Sequence, residues 1–284
     1  MAKMVHLKDL MANKTYEPPC SIYFGVCDDT VPGGTPMIMG YTMSGPDMRN
    51  DRHYHTECPV GQYKIKGTDH LLVGPDDKMR EIEYKPGDFL YMPKGEIHGA
   101  KGVGESNELI FCYIGIGSLD KAGTVFGDTK ASPAAKSPDT SAKVVRIPKK
   151  DIQYAEPLIT GFGINSQTVE HPGFIMGTST MPPGGWNRRH YHSNVDLAMF
   201  KIRGHDRMMI GPDGAIEEMD FQAGDFIYIP RGEIHGAINL DNKEGLLVLC
   251  YVGVDDREKI HKEYVEPDKK YVPPTEYDYA SKLK

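Results

Sequence analysis

The chain carries one pattern of histidines twice, and the two copies lie in register. Three histidines of the first copy recur 137 positions later in the second, so that the matched sets are His53, His55, His98 and His190, His192, His235. The same offset relates Gly87-Asp88 to Gly224-Asp225. A repeat held over this length indicates a duplicated structural unit. We therefore expect two similar domains and a function that depends on the histidines.

Short strands and tight turns dominate both copies. Apolar runs at residues 89–92 and 226–229 stand between a Gly-Asp pair and a proline, as strands do. The sequence Gly-Pro-Asp occurs at residues 74–76 and 211–213 and is typical of β-turns. Helix-like patterns are confined to residues 255–263 and the first dozen residues. The chain is therefore predicted to be an all-β sandwich or barrel, repeated once.

A segment of small and polar residues separates the copies. Residues 127–142 are rich in Ser, Ala, Thr and Pro, and such a segment has little apolar surface to bury. We predict an N-terminal domain over residues 1–126, a linker over 127–142 and a C-terminal domain over 143–284. The final residues, 266–284, are rich in Pro, Tyr and charge. They fit either a strap over the other domain or a disordered tail.

Composition excludes several classes of partner and site. The chain has 33 Lys and Arg against 40 Asp and Glu, a net charge of −7, and no basic run longer than a pair. Nucleic acid is therefore not expected as a partner. No apolar stretch suits a membrane span or a signal peptide. Five cysteines without CxxC spacing argue against a disulfide framework or a zinc knot. We expect a cytoplasmic protein with reduced thiols.

The spacing of the histidines indicates a metal site. Side chains alternate along a strand, so the HxH pairs at 53–55 and 190–192 each place two imidazoles on one face. A third imidazole from a distant strand, at 98 or 235, can complete the site. Three protein ligands with open positions are typical of a catalytic metal. Imidazole suits iron, nickel, copper and zinc, and an added carboxylate favours Mn(II) or Fe(II).

These patterns resemble the two sequence motifs of the cupin superfamily, and two copies resemble a bicupin. The second copy matches nearly in full, at His190, His192, Asp196, Gly204, Gly224, Pro230, Gly232, His235 and Asn239. The resemblance spans about residues 38–115 and 175–253. It implies two tandem double-stranded β-helix barrels, the cupin jelly roll, each built around a divalent metal site.

Both copies depart from the family pattern at the acidic ligand. Asp196 stands where the family usually has glutamate, and Pro59 occupies the equivalent place in the first copy. Strand parity suggests that Glu57 faces inward beside His53 and His55 and compensates. The metal ligands implied are His53, His55, His98, His190, His192, Asp196 and His235. Because the second copy is more complete, we expect it to hold metal better than the first.

A few further side chains are candidates for catalysis or substrate binding. Glu57, Glu96 and Glu233 are candidates for proton transfer, although the two beside the ligand turns also suit a structural hydrogen bond or ion pair. Trp186 and Arg188 have no counterpart in the first copy. An inward Arg188 would bind a carboxylate or enolate oxygen. Packing at the rim of the domain is the alternative for both.

Together, the residues and the resemblance predict a metal-dependent enzyme that acts on a small organic substrate. Three neutral imidazoles leave a divalent ion its full charge, which favours an Fe(II) dioxygenase of an aromatic, hydroxy-ketone or β-dicarbonyl compound. The alternative uses Mn(II), Ni(II) or Zn(II) in a redox-neutral lyase, decarboxylase, isomerase or C–C hydrolase that works through an enolate. A non-catalytic small-molecule-binding bicupin is the third hypothesis. We also expect a homo-oligomer, since paired barrels commonly associate through edge strands.

Overall fold

The computed structural model describes residues 1–127, 129–132, 142–145, 153–155 and 158–265. Their regular structure consists of strands and short 3-10 turns without any α-helix, so the all-β prediction is confirmed. The core of the predicted linker, residues 133–141, and the whole tail, residues 266–284, lie outside the described residues. Within the described ranges, no helix has the length and apolar character that crossing a membrane requires.

The strands are numbered in chain order. The first ten are β1 (Lys3–His6), β2 (Ser21–Val26), β3 (Met37–Ser44), β4 (His53–His55), β5 (Val60–Val73), β6 (Arg80–Tyr84), β7 (Phe89–Met92), β8 (Ala100–Ile114), β9 (Thr124–Phe126) and β10 (Lys143–Val145). The others are β11 (Gln153–Ala155), β12 (Leu158–Ile164), β13 (Phe174–Met181), β14 (Trp186–His192), β15 (Asp196–Arg203), β16 (His205–Ile210), β17 (Glu217–Gln222), β18 (Asp225–Ile229), β19 (His235–Asn239), β20 (Gly245–Val252) and β21 (Lys262–Tyr264). The 3-10 turns lie at Leu7–Asp9, Asp76–Lys78, Leu119–Lys121, Thr129–Ala131 and Arg257–Lys259.

The chain divides into two compact units. One unit contains Asp9–Arg146 and Ser166–Pro172 and is called the N-terminal barrel below. The other contains Met1–Lys8, Ile147–Asn165 and Gly173–Lys284 and is called the C-terminal barrel. Each unit includes most of one sequence copy, so each histidine set belongs to a separate barrel.

The N-terminal barrel is built around two long strands. Its main sheet has the order β10-β7-β5-β8-β3-β2, with β6 paired to β5, and β4 pairs with β9. β5 bends near Gly67, whose φ of +76° lies in the left-handed region. A Cβ at Gly67 would also lie 2.3 Å from Asn107 Oδ1. Glycine is therefore required where the strand turns from one side of the barrel to the other.

The C-terminal barrel has the same plan with its long strands divided. One sheet has the order β1-β18-β15-β20-β13-β12-β11 and the other β17-β16-β19-β14-β21. The chain passes from β15 in the first sheet to β16 in the second at Gly204, which has a φ of +93°. Gly204 is the counterpart of Gly67 in the 137-residue register. The duplication seen in the sequence is thus also a duplication of backbone geometry.

Apolar side chains fill the interior of each barrel. The N-terminal core includes Ile22, Val60, Leu71, Leu90 and Phe111. The C-terminal core includes Leu197, Met199, Met208, Phe221 and Leu249. Because a polar group in such surroundings loses its hydration, it must be paired or must serve a ligand. Buried polar side chains without a partner in the protein are therefore candidates for ligand contacts.

The unit boundaries differ from the predicted division at 1–126 and 143–284. β1 pairs with β18 of the C-terminal barrel, with Val5 opposite Phe226. β10 pairs with β7 of the N-terminal barrel, with Val145 opposite Phe89. An uncovered β18 or β7 would present free backbone groups along a sheet edge. β1, which the sequence assigned to the N-terminal domain, covers the edge of the C-terminal barrel. β10, which it assigned to the C-terminal domain, covers the edge of the N-terminal barrel.

Removing residues 1–8 tests this assignment. We expect faster amide hydrogen exchange in β18, because its backbone loses the partner that β1 supplies. β7 is the matched control, since β10 covers it independently, and its exchange should stay unchanged. Hydrogen-exchange mass spectrometry of peptides from 225–229 and 89–92 measures both. Equal protection of β18 in the full chain and the shortened chain would contradict the assignment.

Candidate metal centres

Each barrel brings its three histidines into one buried cluster. Their ligand atoms lie within 4.8 Å of one another in both clusters. In the N-terminal barrel two histidines lie on β4, and His98 precedes β8. In the C-terminal barrel two lie on β14, and His235 begins β19. We call these clusters the N-terminal centre and the C-terminal centre.

Hydrogen bonds at Nδ1 orient most of these rings. Each bonded Nδ1 donates to an oxygen at 2.7–2.9 Å: His53 to Asp51 O, His98 to Glu96 O, His55 to Thr124 Oγ1, His190 to Arg188 O and His235 to Glu233 O. This leaves the Nε2 lone pair for another partner. Nε2 of His53, His55 and His192 is buried and has no hydrogen-bond partner among the described residues. This arrangement is typical of histidines that bind a metal ion.

Burial lowers the pKa of five of the six rings. Loss of hydration, together with the neighbouring His53, lowers the pKa of His55 to about 3. Burial and His235 lower the pKa of His192 to about 3, and burial lowers that of His235 to about 4. His53 is the exception, because the charge of Glu17 and a hydrogen bond to it outweigh burial and raise its pKa. Metal binding requires the unprotonated imidazole, so a cation at the N-terminal centre competes with a proton on His53.

The N-terminal centre has an acidic residue that strand parity did not predict. Glu17 lies in the segment before β2, and its Oε1 is 3.4 Å from His53 Nε2. The Tyr113 hydroxyl donates to the same oxygen at 3.1 Å. Burial alone would raise the pKa of Glu17, but attraction to His53, His55 and His98 outweighs it and lowers the pKa to about 2. Glu17 is thus a carboxylate at neutral pH and is placed to act as a fourth ligand.

Nothing in the repeat pattern marks Glu17, because its segment lies outside the region in register. The only sequence signal was the missing acid at Pro59, which required a carboxylate from elsewhere. Glu57 does not supply it. β4 ends at His55, and Glu57 is exposed and accepts a hydrogen bond from Thr56 Oγ1. The prediction of an inward Glu57 is corrected, since parity does not extend past the end of a strand.

Asp196 is not a ligand of the C-terminal centre. Leu197 and Met199 line the cavity of that barrel, so the alternation along β15 puts Asp196 on the opposite face. Its Oδ1 accepts from Tyr228 Oη at 2.9 Å, and its Oδ2 accepts from Arg231 Nε at 2.9 Å. The prediction is corrected because the carboxylate is held by an arginine outside the site.

The two residues predicted to bind substrate also point elsewhere. A β-bulge between Asn187 and His190 interrupts the alternation of β14. Asn187 lines the cavity, whereas Trp186 and Arg188 are not among the described residues that line it. The Arg188 guanidinium lies over the Tyr264 ring, 4.0 Å from its centre. The prediction of an inward Arg188 is corrected by the bulge, which shifts the parity.

Glu96 and Glu233 support the centres through their backbones. Their carbonyl oxygens accept the Nδ1 hydrogen bonds of His98 and His235. The Glu233 carboxylate lies 3.4 Å from the amino group of Met1, and the Glu96 side chain is buried. Both residues orient a histidine, and proton transfer by either side chain stays a prediction.

The two centres differ in charge. Lys262 on β21 is exposed and lies opposite His192 in the backbone pairing, and its positive charge helps burial to lower the pKa of all three histidines of the C-terminal centre. Among the described residues, no Asp or Glu lies within 4.8 Å of all three histidines in either cluster. The N-terminal centre nevertheless has Glu17 beside His53. Electrostatics therefore favours a cation at the N-terminal centre, which reverses the order expected from the sequence.

A small cavity adjoins each centre. Both have a volume of about 50 Å³. The N-terminal cavity is lined by Glu17, His55 and His98 at one side and otherwise mainly by apolar residues such as Leu90 and Phe111. The C-terminal cavity is lined by His190 and His235 with Met199, Met208 and Leu249. Each centre thus faces a largely apolar space.

Comparison with known proteins supports the fold. Residues 177–252 match the model of the cupin domain, and among curated sequences none is significantly similar to the chain. The structure is similar to oxalate decarboxylase from Bacillus subtilis at pH 4.6, with a TM-score of 0.75, 16% identity, and coverage of 93% of this chain and 78% of that one. A second structure of that enzyme, used to assign its Mn(II) centres, gives a TM-score of 0.73, 15% identity, and coverage of 93% and 79%. The fold is therefore that of two cupin jelly-roll barrels.

Substitution of Glu17 tests its place beside the ligands. Glu17→Gln should weaken Mn(II) binding at the N-terminal centre by about tenfold or more, because a charged ligand is lost. Glu57→Gln is the matched control, since that carboxylate is exposed, and it should leave affinity unchanged. Titration followed by electron paramagnetic resonance measures both. Equal affinities for the two variants would exclude Glu17 from the site.

The order of the two centres has its own test. His55→Ala should remove more bound Mn(II) than His192→Ala, because Glu17 attracts the cation and Lys262 repels it. Elemental analysis of each variant, equilibrated at the same limiting metal concentration, gives the comparison. A larger loss from His192→Ala would restore the order that the sequence motifs predicted.

Proposed function

We propose that the chain is a redox-neutral, metal-dependent enzyme that cleaves or rearranges a small organic anion through an enolate. A decarboxylase or related lyase is the form favoured here, with the N-terminal centre as the site of reaction. The observation that carries this proposal is the carboxylate of Glu17 beside the three histidines of the N-terminal centre, next to a small cavity.

The ligand set bears on the choice of metal. Three imidazoles alone suit iron, nickel, copper or zinc, whereas a carboxylate shifts the preference toward a harder ion such as Mn(II). The structurally similar enzyme from Bacillus subtilis contains Mn(II) centres. Both points favour Mn(II) at the N-terminal centre over the Fe(II) favoured from the sequence. A divalent ion held there would act as a Lewis acid that stabilises negative charge developing on a substrate oxygen.

Tyr113 is the side chain best placed to handle a proton. It is buried, lines the cavity and donates to Glu17 Oε1. Burial, together with the charge of Glu17, raises the pKa of Tyr113 well above its ordinary value. Its hydroxyl therefore keeps its proton at neutral pH until a carbanion or enolate accepts it.

A second tyrosine connects this hydroxyl toward solvent. The Tyr16 hydroxyl lies 2.5 Å from Thr124 Oγ1. Burial raises the pKa of Tyr16 to about 12, although hydrogen bonds with Thr124 and Tyr113 act to lower it. Thr124 is partly exposed and bonds His55 Nδ1. A proton lost from Tyr113 can be replaced along this chain of hydroxyl groups. The residues thus supply a proton path and need no external oxidant.

Cavity size favours a small substrate. One water needs about 10–15 Å³ of such volume, so 50 Å³ accommodates about four water-sized groups. A volume of this size favours a substrate of few non-hydrogen atoms over an aromatic one. The described lining also contains no Lys or Arg. A dianion such as oxalate, the substrate named for the structurally similar enzyme, would find no cation there other than the metal. A singly charged acid fits better.

Turnover with and without oxygen tests the proposal. The Mn(II)-loaded chain should convert a member of a panel of small 2-oxo, 3-oxo and hydroxy acids equally well under argon and in air, because no step needs an oxidant. Product analysis by nuclear magnetic resonance and an oxygen electrode measure both quantities. Oxygen uptake by the Fe(II)-loaded chain would favour the dioxygenase instead. Binding without turnover would favour the non-catalytic hypothesis.

Tyr113→Phe provides the internal control for the same assay. It should lower kcat by about 100-fold while metal content stays constant, since the loss of a positioned acid or base costs this much. The equivalent Tyr251→Phe, beside His192 in the C-terminal barrel, should have little effect. Equal losses of kcat in the two variants would contradict the assignment of the reaction to the N-terminal centre.

A further inference from the structure

Each barrel contains a buried ion pair that the metal centres do not use. Lys64 pairs with Asp69 in the N-terminal barrel, and Lys201 pairs with Asp206 in the C-terminal barrel. All four side chains are at most 1% exposed. The two pairs occupy the same places in the 137-residue register. The feature therefore belongs to both copies.

In each aspartate, one carboxylate oxygen is bonded to the lysine and the other is not. Oδ2 of Asp69 and Oδ2 of Asp206 accept from the lysine. The other oxygen, Oδ1, is buried and has no hydrogen-bond partner among the described residues in either barrel. A buried carboxylate oxygen without a partner is costly, so native structures normally provide one. The same unpaired acceptor recurs at equivalent positions in the two barrels.

Both aspartates line the cavities that adjoin the metal centres. The N-terminal cavity is lined by Asp69 as well as by Glu17, His55 and His98. The C-terminal cavity is lined by Asp206 as well as by His190 and His235. Each cavity is therefore lined by histidines of its centre and by an aspartate, together with mainly apolar residues.

The N-terminal cavity is small. Asp69, Glu17 and the buried thiol of Cys20 all line it. Its volume is about 50 Å³, and one water needs about 10–15 Å³. A molecule of a few non-hydrogen atoms would therefore fill it.

We propose that Asp69 determines specificity by accepting a hydrogen bond from a hydroxyl group of the substrate, whose acidic end faces the histidines and Glu17. The substrate class is then a small hydroxylated monocarboxylic acid. This inference rests on the proposed function for the reaction itself, but the contact at Asp69 is a separate claim.

The ion pair between Lys64 and Asp69 determines what this part of the cavity offers to a ligand. It offers a hydrogen-bond acceptor and not a site for a second anionic group. The Lys64 ammonium group is engaged by Asp69 and lies 5.4 Å from the centre of the Tyr84 ring. Lys64 itself is not among the described residues that line the cavity. A ligand therefore meets the carboxylate oxygen and not the ammonium group. A hydroxyl donor is stabilised there, and a second carboxylate is repelled.

Binding of two matched probes tests the contact. The experiment uses the full chain with His190→Ala and His192→Ala, so that only the N-terminal centre holds Mn(II). Calorimetry gives the Kd of glycolate and of acetate, which differ by one hydroxyl. The preference for glycolate is compared between this protein and one that also carries Lys64→Met and Asp69→Leu. Any chelation of the metal by the hydroxyl is common to both and cancels in the comparison.

We expect the preference for glycolate to fall about tenfold or more when the Lys64–Asp69 pair is replaced, because a hydrogen bond to a charged acceptor is lost. The same replacement in the other barrel, Lys201→Met with Asp206→Leu, should leave the preference for glycolate unchanged. Removing both charges avoids an unpaired buried lysine. Asp69→Asn is the second variant, should the double replacement fail to fold, and a smaller fall is expected because the amide oxygen still accepts.

An unchanged preference in both Asp69 variants would overturn the inference and assign the free oxygen to a buried water. Failure of glycolate to bind would overturn it as well. Metal content is measured first on the same samples and reports on the proposed function alone. If no metal binds, the proposed function fails, and the probe preference of the metal-free protein still decides on Asp69.

Discussion

The reciprocal backbone pairing of a ligand histidine with its partner strand is the constraint on which each centre depends. His53 N donates to His98 O, and His98 N donates to His53 O, both at 2.9 Å. His190 and His235 are opposite one another in the same way in the C-terminal barrel. Two side chains that face the same way on directly opposed residues lie close together whatever fills the rest of the barrel. Sheet pairing, rather than the metal, thus brings the first and third imidazoles together, and the HxH spacing adds the second.

Sequence reasoning succeeded where a rule of strand geometry applied to a repeated segment. The alternation of side chains and the constant offset identified all six histidines and the all-β fold. It failed where the chain departs from regular pairing. The bulge after Asn187 turned Arg188 and Trp186 away from the cavity, and the end of β4 left Glu57 in solvent. Asp196 lies on a regular strand, but on the face of β15 that points away from the cavity. The sequence alone does not show which face of β15 points inward.

Glu17 and β1 could not be found by comparing the copies, for a related reason. Both belong to the first 20 residues, which precede the region in register. Their places are determined by tertiary contacts: Glu17 by Tyr113 and His53, and β1 by the edge of β18. Such contacts join residues far apart in the chain, and neither hydrophobic period nor turn chemistry encodes them. The acid missing at Pro59 signalled that a ligand was needed but not where it would come from.

The duplicated fold has diverged in charge while it kept its ligand geometry. Each barrel holds a matching cluster of three histidines. The N-terminal cluster has Glu17 beside it, and the C-terminal cluster has Lys262. A change of one neighbouring charge alters cation affinity without moving a histidine, since Coulomb interactions act through a few ångströms of dry interior. The Lys–Asp pairs have not diverged in this way. A buried ion pair is seldom worth more to stability than apolar residues of the same volume. Retention of both pairs, with an aspartate that lines each cavity, is therefore better explained by ligand recognition than by folding.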